Sequence, residues 1–344
     1  MLDRIEVKIG VLLISLMLTG GLFFLSQKKI SEGKILDNNR TIAGGIEVRE
    51  KTDAEPIDLQ PQEAIGATGK DIRVLFVGDL MFDRYIRQVA RRKGNDFVFE
   101  KVDPMLQDAD LAVANLEGPI TDNPSVSENS EFGSKENYVF TFDPGVAATL
   151  KKHHVGLVSL GNNHMLNFKE VGAIQTEAYL QAAGVDFFGS PIAGAERMVV
   201  KNIEGIRIGL VNFNQFVFQG REKALEDIKK AKVISDMVIV YTHWGKEFET
   251  EPLENVRKLA HEFIDAGADA IIGSHPHVVQ GKEVYKNKTI YYSLGNFIFD
   301  QYFQKETQEG LAVKLVINPE TKGIVFQEIF LVMQNNGQTR PKGF

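Results

Sequence analysis

The chain reads as an α/β protein built on parallel strands, and three observations predict that class. Short, predominantly apolar runs recur at 72–77, 111–114, 155–160, 237–241 and 270–272, the pattern of strands buried on both faces. Each run stops at a glycine or a polar cluster, at the strand ends where open α/β sheets bind ligands. Helix-length stretches separate the runs, the βα rhythm that delivers parallel strands. With 344 residues, 43% hydrophobic and 25% charged, the chain has material for one large or two modest domains. A net charge of −7 gives no sign of a nucleic-acid partner. The absence of cysteine excludes thiol catalysis, thiolate metal sites and disulfides, so any metal is held by nitrogen and oxygen.

Taken in order, residues 9–25 carry no charge, with Arg4 and Lys8 before them and Lys28 and Lys29 after. This predicts an uncleaved signal anchor over 1–28, because no small-x-small cleavage site follows. The body is then expected outside the cytoplasm on a single-pass membrane span. Residues 29–70 are polar, with Gly44-Gly45, Pro56 and Pro61, and read as a tether. The folded domain is expected at 71–333. Its first strand ends at Gly78-Asp79 and is followed by a helix around 85–92; the second strand runs into Asn115, Leu116 and Glu117. Residues 122–137, rich in Ser, Asn and Glu, are expected to be a surface loop or flap over the site.

The third strand delivers Gly161-Asn162-Asn163-His164, and Gly184 suits the C-cap of a helix over 169–183. A hairpin over 199–213, a charged amphipathic helix over 221–231 and a fourth strand ending in Thr242-His243-Trp244 come next. Pro252 suits the first turn of a helix over 252–266, on whose polar face His261 is expected to be solvated. His153 and His154, beside Lys151 and Lys152, fit the negative end of a helix dipole. A strand over 289–294 leads to Asn296 and Asp300, a hairpin over 311–317 and 324–333 closes the domain, and 334–344 is expected to be a loose tail.

The segment 268–280, ADAIIGSHPHVVQ, organises the rest. Pro276 fixes its own φ and biases His275 towards extended geometry, so both imidazoles are expected to point one way beyond the strand. A buried hydrogen-bonded pair is the bland alternative; metal ligation suits the stiff loop better. Asp79 taken alone also suits a helix cap. Together Asp79, Glu117, Asn163, His164, His243, His275 and His277 are expected at one sheet edge. They would form a donor set for a divalent ion, with a second ion if a carboxylate bridges. His164, beside an amide, is the candidate proton donor.

Six motifs, GDLMFDR, NLEGPIT, SLGNNHMLNF, THWGKEF, IIGSHPHVVQG and YSLGNFIFD, in this order, resemble the CapA family of capsule and poly-γ-glutamate biosynthesis proteins. That family is similar in turn to calcineurin-like metallophosphoesterases. The resemblance implies a layered α/β sandwich with a dinuclear site for manganese, zinc or iron. It implies Asp79, Asn163, His243, His275 and His277 as ligands, Glu117 as a bridging or additional carboxylate, and His164 as the residue that protonates a leaving group. Two departures stand out. The usual Asp-x-His opening is Asp79-Leu80-Met81 here, and an aspartate common in the family is Asn167.

Two functions follow as expectations. The first is an anchored metal-dependent hydrolase acting on a phosphoester or γ-glutamyl amide of poly-γ-glutamate or a capsule precursor, with Arg84, Arg87, Lys246 and Lys282 near the motifs as cationic contacts or as ordinary surface charges. The second is a non-catalytic subunit that helps a membrane synthase complex export or retain the polymer.

Overall fold

Parallel strands buried on both faces do form, but in two sheets instead of one. The computed structural model describes residues 70–343. The first sheet contains β1 (Ile72–Leu80), β2 (Leu111–Leu116), β3 (Val155–Ser159), β4 (Asp186–Phe188), β11 (Asn296–Ile298), β12 (Glu309–Ile317), β13 (Ile324–Met333) and β14 (Thr339–Pro341). Its order is β14-β13-β12-β1-β2-β3-β4, with β11 pairing β1 at its end. The second sheet contains β5 (Met198–Ile203), β6 (Ile206–Asn214), β7 (Met237–His243), β8 (Ala270–Ser274), β9 (Lys282–Tyr285) and β10 (Lys288–Tyr291), in the order β5-β6-β7-β8-β10-β9. β1 to β4 run parallel, as do β6, β7, β8 and β10.

Side-chain alternation divides each strand between two cores. From β1, Val74 and Phe76 pack between the sheets with Ile239, Tyr241 and Ile272 of the second sheet. Leu75 and Val77 point the other way, into a core shared with α1 (Arg84–Lys93), α2 (Asp103–Gln107), α3 (Gly145–Lys152) and α4 (Lys169–Ala183). From β7, Val238 and Val240 face α5 (Gly220–Ile234) and α6 (Glu254–Ala266). The result is a helix–sheet–sheet–helix sandwich, which is why these strands carry no polar alternation.

Two glycines allow the backbones to close around the future site. A Cβ on Gly78 would lie 1.9 Å from the Gly295 carbonyl oxygen, and one on Gly273 would lie 2.0 Å from that of Tyr292. Neither position admits a side chain.

Several expectations change. The segment after Gln334 is not loose: β14 pairs β13, and Gln338 and Thr339 are buried. His261 is not simply solvated, because its ring stacks on Tyr285 at 3.9 Å and Nε2 lies 2.7 Å from Glu283. His153 ends α3 yet is buried, its two nitrogens held by Asp103 at 2.6 Å and Asp96 at 3.0 Å. Asp83, the N-cap of α1, is buried and accepts from Arg84 N–H, Arg87 Nε, Ser125 Oγ and Thr141 N–H. The 122–137 loop is therefore pinned to α1. The expected anchor at 1–28 and nearly all of the tether at 29–70 lie outside the described residues, among which no helix is long and apolar enough to cross a membrane.

Candidate metal centre

Strand register aligns the polar residues into two rows. Across the first sheet, Asp79 stands opposite Asn296 on one side and Asn115 on the other, and Asn115 opposite Ser159. Across the second, Asn214, His243 and Ser274 are in register. The rows meet at the seam between the sheets, so the expected single edge is a junction of two. Asp79 Oδ2 accepts the backbone N–H of His275 at 3.2 Å, and Asn163 Oδ1 lies 2.9 Å from His243 Nε2. Tyr241 Oη donates to the Val77 carbonyl at 2.8 Å a little deeper.

The histidine loop departs from extended geometry. His275 has φ +99° and His277 φ +59°, both in the region that disfavours a β-carbon. The proline biases the preceding residue but does not outweigh the hydrogen bond that Asp79 makes to His275. The two rings still face one site, with centroids 6.0 Å apart. Backbone strain held by a polar contact is characteristic of ligand-gripping positions.

Asp79, Glu117, His243, His275 and His277 are all buried. Two triads each offer one ligand atom per residue within 4.8 Å of the others: Glu117, His275 and His277, and Asp79, Glu117 and His243. Glu117 belongs to both, the position a bridging carboxylate takes. His277 Nδ1 lies 3.0 Å from Asn296 Oδ1 and 3.3 Å from Asp79 Oδ2, which leaves Nε2 facing Glu117 Oε1 at 3.4 Å. Asn115 Nδ2 donates to Asp79 Oδ1 at 2.8 Å and to Glu117 Oε2 at 3.3 Å.

What lacks partners is as informative. Glu117 Oε1 and His275 Nδ1 are buried with no hydrogen bond. An orphaned carboxylate oxygen and an orphaned imidazole nitrogen within one cluster are the donors that a divalent cation satisfies. Burial, and then the neighbouring Asp79 charge, raises the Glu117 pKa well above the carboxylate range. Burial lowers His275 to about 3, and burial followed by His275 and His277 carries His243 well down. These imidazoles are neutral, as ligands must be.

His164 stands beside the triads without joining one. Its Nε2 is 3.8 Å from Glu117 Oε1, its ring lies tilted against Phe140 at 4.4 Å, and burial lowers its pKa to about 4. Asn167 Oδ1 takes the Phe140 N–H at 2.7 Å and meets His164 Nδ1 at 3.2 Å. The amide keeps the orientation that a carboxylate would give and omits only its charge. Met81 does not face the centre: it is fully buried in the core under α1, its sulfur accepting the Asp83 N–H at 3.0 Å.

Sequence reasoning passed over Asn115, Asn296 and Ser274, whose only signal was a place at a strand end. The suggested cationic contacts are all paired. Arg84 holds Asp300, Arg87 holds Asp83 and Asp143, Lys246 holds Glu249 and Lys282 holds Glu328. Arg84 and Arg87 are also buried.

The family described as bacterial capsule synthesis protein PGA_cap matches residues 73–301. The capsule biosynthesis protein CapA of Bacillus anthracis is 31% identical over 260 residues, covering 70% of this chain and 62% of that protein. The PGA biosynthesis protein CapA of Bacillus subtilis is 31% identical over 253 residues, covering 69% and 65%. The chain thus spans less than two thirds of either relative. A probable polyglutamine synthesis accessory protein of Mycobacterium tuberculosis is 25% identical over 218 residues, 56% of each chain. Among solved structures, the sulfate thiohydrolase SoxB of Thermus thermophilus, in complex with glycerol, aligns with TM-score 0.44 and 12% identity over 83% of this chain and 58% of its own.

Proposed function

This chain belongs to the bacterial capsule synthesis protein PGA_cap family, and from that premise we propose that it is a metal-dependent hydrolase acting on poly-γ-glutamate or a phosphorylated capsule precursor. The uncharged stretch at 9–25 supports a membrane-held protein working outside the cytoplasm. Asp79, Glu117, Asn163, His243, His275 and His277 would hold one or two divalent ions. The ion, when bound, supplies Lewis-acid polarisation of a phosphoryl or acyl oxygen and activation of water.

One observation carries the catalytic reading. His164 is a neutral imidazole, oriented through Asn167 and Phe140, with Nε2 facing the shared carboxylate but outside both triads. A purely structural metal site has no use for such a group. Held neutral by burial, it is a base that would take a proton from the attacking water and pass it to the departing oxygen or nitrogen.

The test is metal content of the full chain with turnover of phosphoester and γ-glutamyl amide substrates. The His164→Ala variant is expected to retain metal and lose roughly 10²–10⁴-fold in rate; unchanged turnover would sink the assignment. The accessory-subunit reading draws support from Met81, which fills the outer core where the resemblance implies a ligand. Under it, metal binds stoichiometrically, His275→Ala/His277→Ala abolishes binding, and no substrate turns over.

A further inference from the structure

A cleft of about 440 Å³ opens beside the candidate centre, lined by Phe132, Tyr138, Phe248, Phe303, Arg84 and Asp300 together with amide and hydroxyl side chains. Its volume is that of a small-molecule site. It adjoins the donor cluster. The Phe248 ring lies 6.3 Å from that of His277, and Arg84 sits over Phe140, whose ring is 4.4 Å from that of His164.

The walls are aromatic and solvent-facing. Phe132 is 74% exposed, Phe303 50% and Phe248 39%. Phe303 bridges the other two, at 5.9 Å from Phe132 and 5.3 Å from Phe248, both edge-on. Three separate loops thus bring rings to one place and leave their faces uncovered, which ordinary packing does not require. The charges lining the cleft are all paired, Arg84 with Asp300 and Glu128 with Arg91 at 2.7 Å. Arg84 is buried, sits over Phe140 and Phe299, and leaves its Nε without a partner. The lining therefore offers apolar faces, with its charges paired.

We propose that this cleft is a substrate subsite for an apolar group attached directly to the oxyanion or acyl centre that the metal site engages. This rests on the hydrolase reading above and narrows it. The portion of substrate next to the scissile bond is an aliphatic or planar group, not a free run of carboxylates. Rings of Phe248 and Phe303 pack on that group.

The experiment measures binding of phenylphosphonate and methylphosphonate to the full chain loaded with manganese, by calorimetry. Two ring contacts predict that phenylphosphonate binds roughly tenfold more tightly. The ratio should fall below about threefold in Phe248→Ala and in Phe303→Ala, each removing one exposed ring. Val233→Ala, on the solvent side of α5, should leave the ratio as it was; thermal melts confirm that each variant is folded. Equal affinities, no binding of either probe, or a preference that survives both ring substitutions would overturn the subsite. Metal content measured on the same samples separates the two readings. Absence of metal fails the hydrolase reading as well, whereas stoichiometric metal without a phenyl preference fails the subsite alone.

Discussion

Two buried charged clusters, one centred on Asp83 and the other on Glu117, behave oppositely. Around Asp83, each carboxylate oxygen is used: Oδ1 accepts from Arg84 N–H, Arg87 Nε and Ser125 Oγ, and Oδ2 from Thr141 N–H. Arg87 completes itself on Asp143 and the Thr141 carbonyl. Around Glu117, by contrast, two carboxylates and three imidazoles are packed together with no cation among them, and Glu117 Oε1 and His275 Nδ1 have no partner. The first cluster holds the 122–137 loop to α1; the second leaves buried polar atoms unsatisfied, which a bound ion would relieve. Burial alone does not distinguish a structural charge from a functional one. Satisfaction does.

That contrast can be broken experimentally, beginning with the largest effect. Asp83→Ala takes the buried acceptor from Arg84 N–H, Arg87 Nε, Ser125 Oγ and Thr141 N–H and is expected to cost about 3–5 kcal/mol of folding stability in denaturant unfolding. Glu117 should behave in reverse. Metal at a hundredfold excess over its Kd should stabilise the parent chain by about 2.7 kcal/mol, and this gain should vanish in Glu117→Gln. The same substitution should make the chelator-treated protein more stable than the parent by about 1–3 kcal/mol at a pH high enough to ionise Glu117, because a carboxylate whose ionisation burial opposes is replaced by a neutral amide. A loss of stability there would mean that the cluster is structural after all. Asn167→Ala, which takes the acceptor from the Phe140 N–H and from His164 at a half-buried position, should cost about 1 kcal/mol and broaden the His164 ring resonances. His261→Ala removes a half-exposed pair with Glu283 and the ring stack on Tyr285 and should cost about 1 kcal/mol.

Much of the site was legible because the chemistry sits at the ends of apolar runs. Asp79, Glu117, Asn163, His164, His243, His275 and His277 were each identifiable from a buried strand followed by a polar residue, and the structure brings them together. What the runs do not encode is which sheet a strand joins. A strand buried on both faces looks the same whether it pairs with β1 or with β7, so the division into two sheets emerges only from pairing. Asn115 and Asn296 escaped notice for another reason: asparagine at a strand end is ordinarily a turn former, and only the register with Asp79 gives these two a purpose. The extended histidine loop was a sound inference from Pro276, overridden by the contact between Asp79 and the His275 N–H.

The donor set is drawn from residues far apart along the chain. Asp79 meets His275 across a sequence separation of 196, and Asn163 meets His243 across 80. Neither sheet by itself owns a complete coordination sphere, so a chain whose halves have formed but not yet docked has nowhere to keep an ion. Metal uptake would then be a certificate of assembly: molecules that load would be those in which the seam has closed. A sample's metal stoichiometry would count correctly folded copies, where solubility would count all of them.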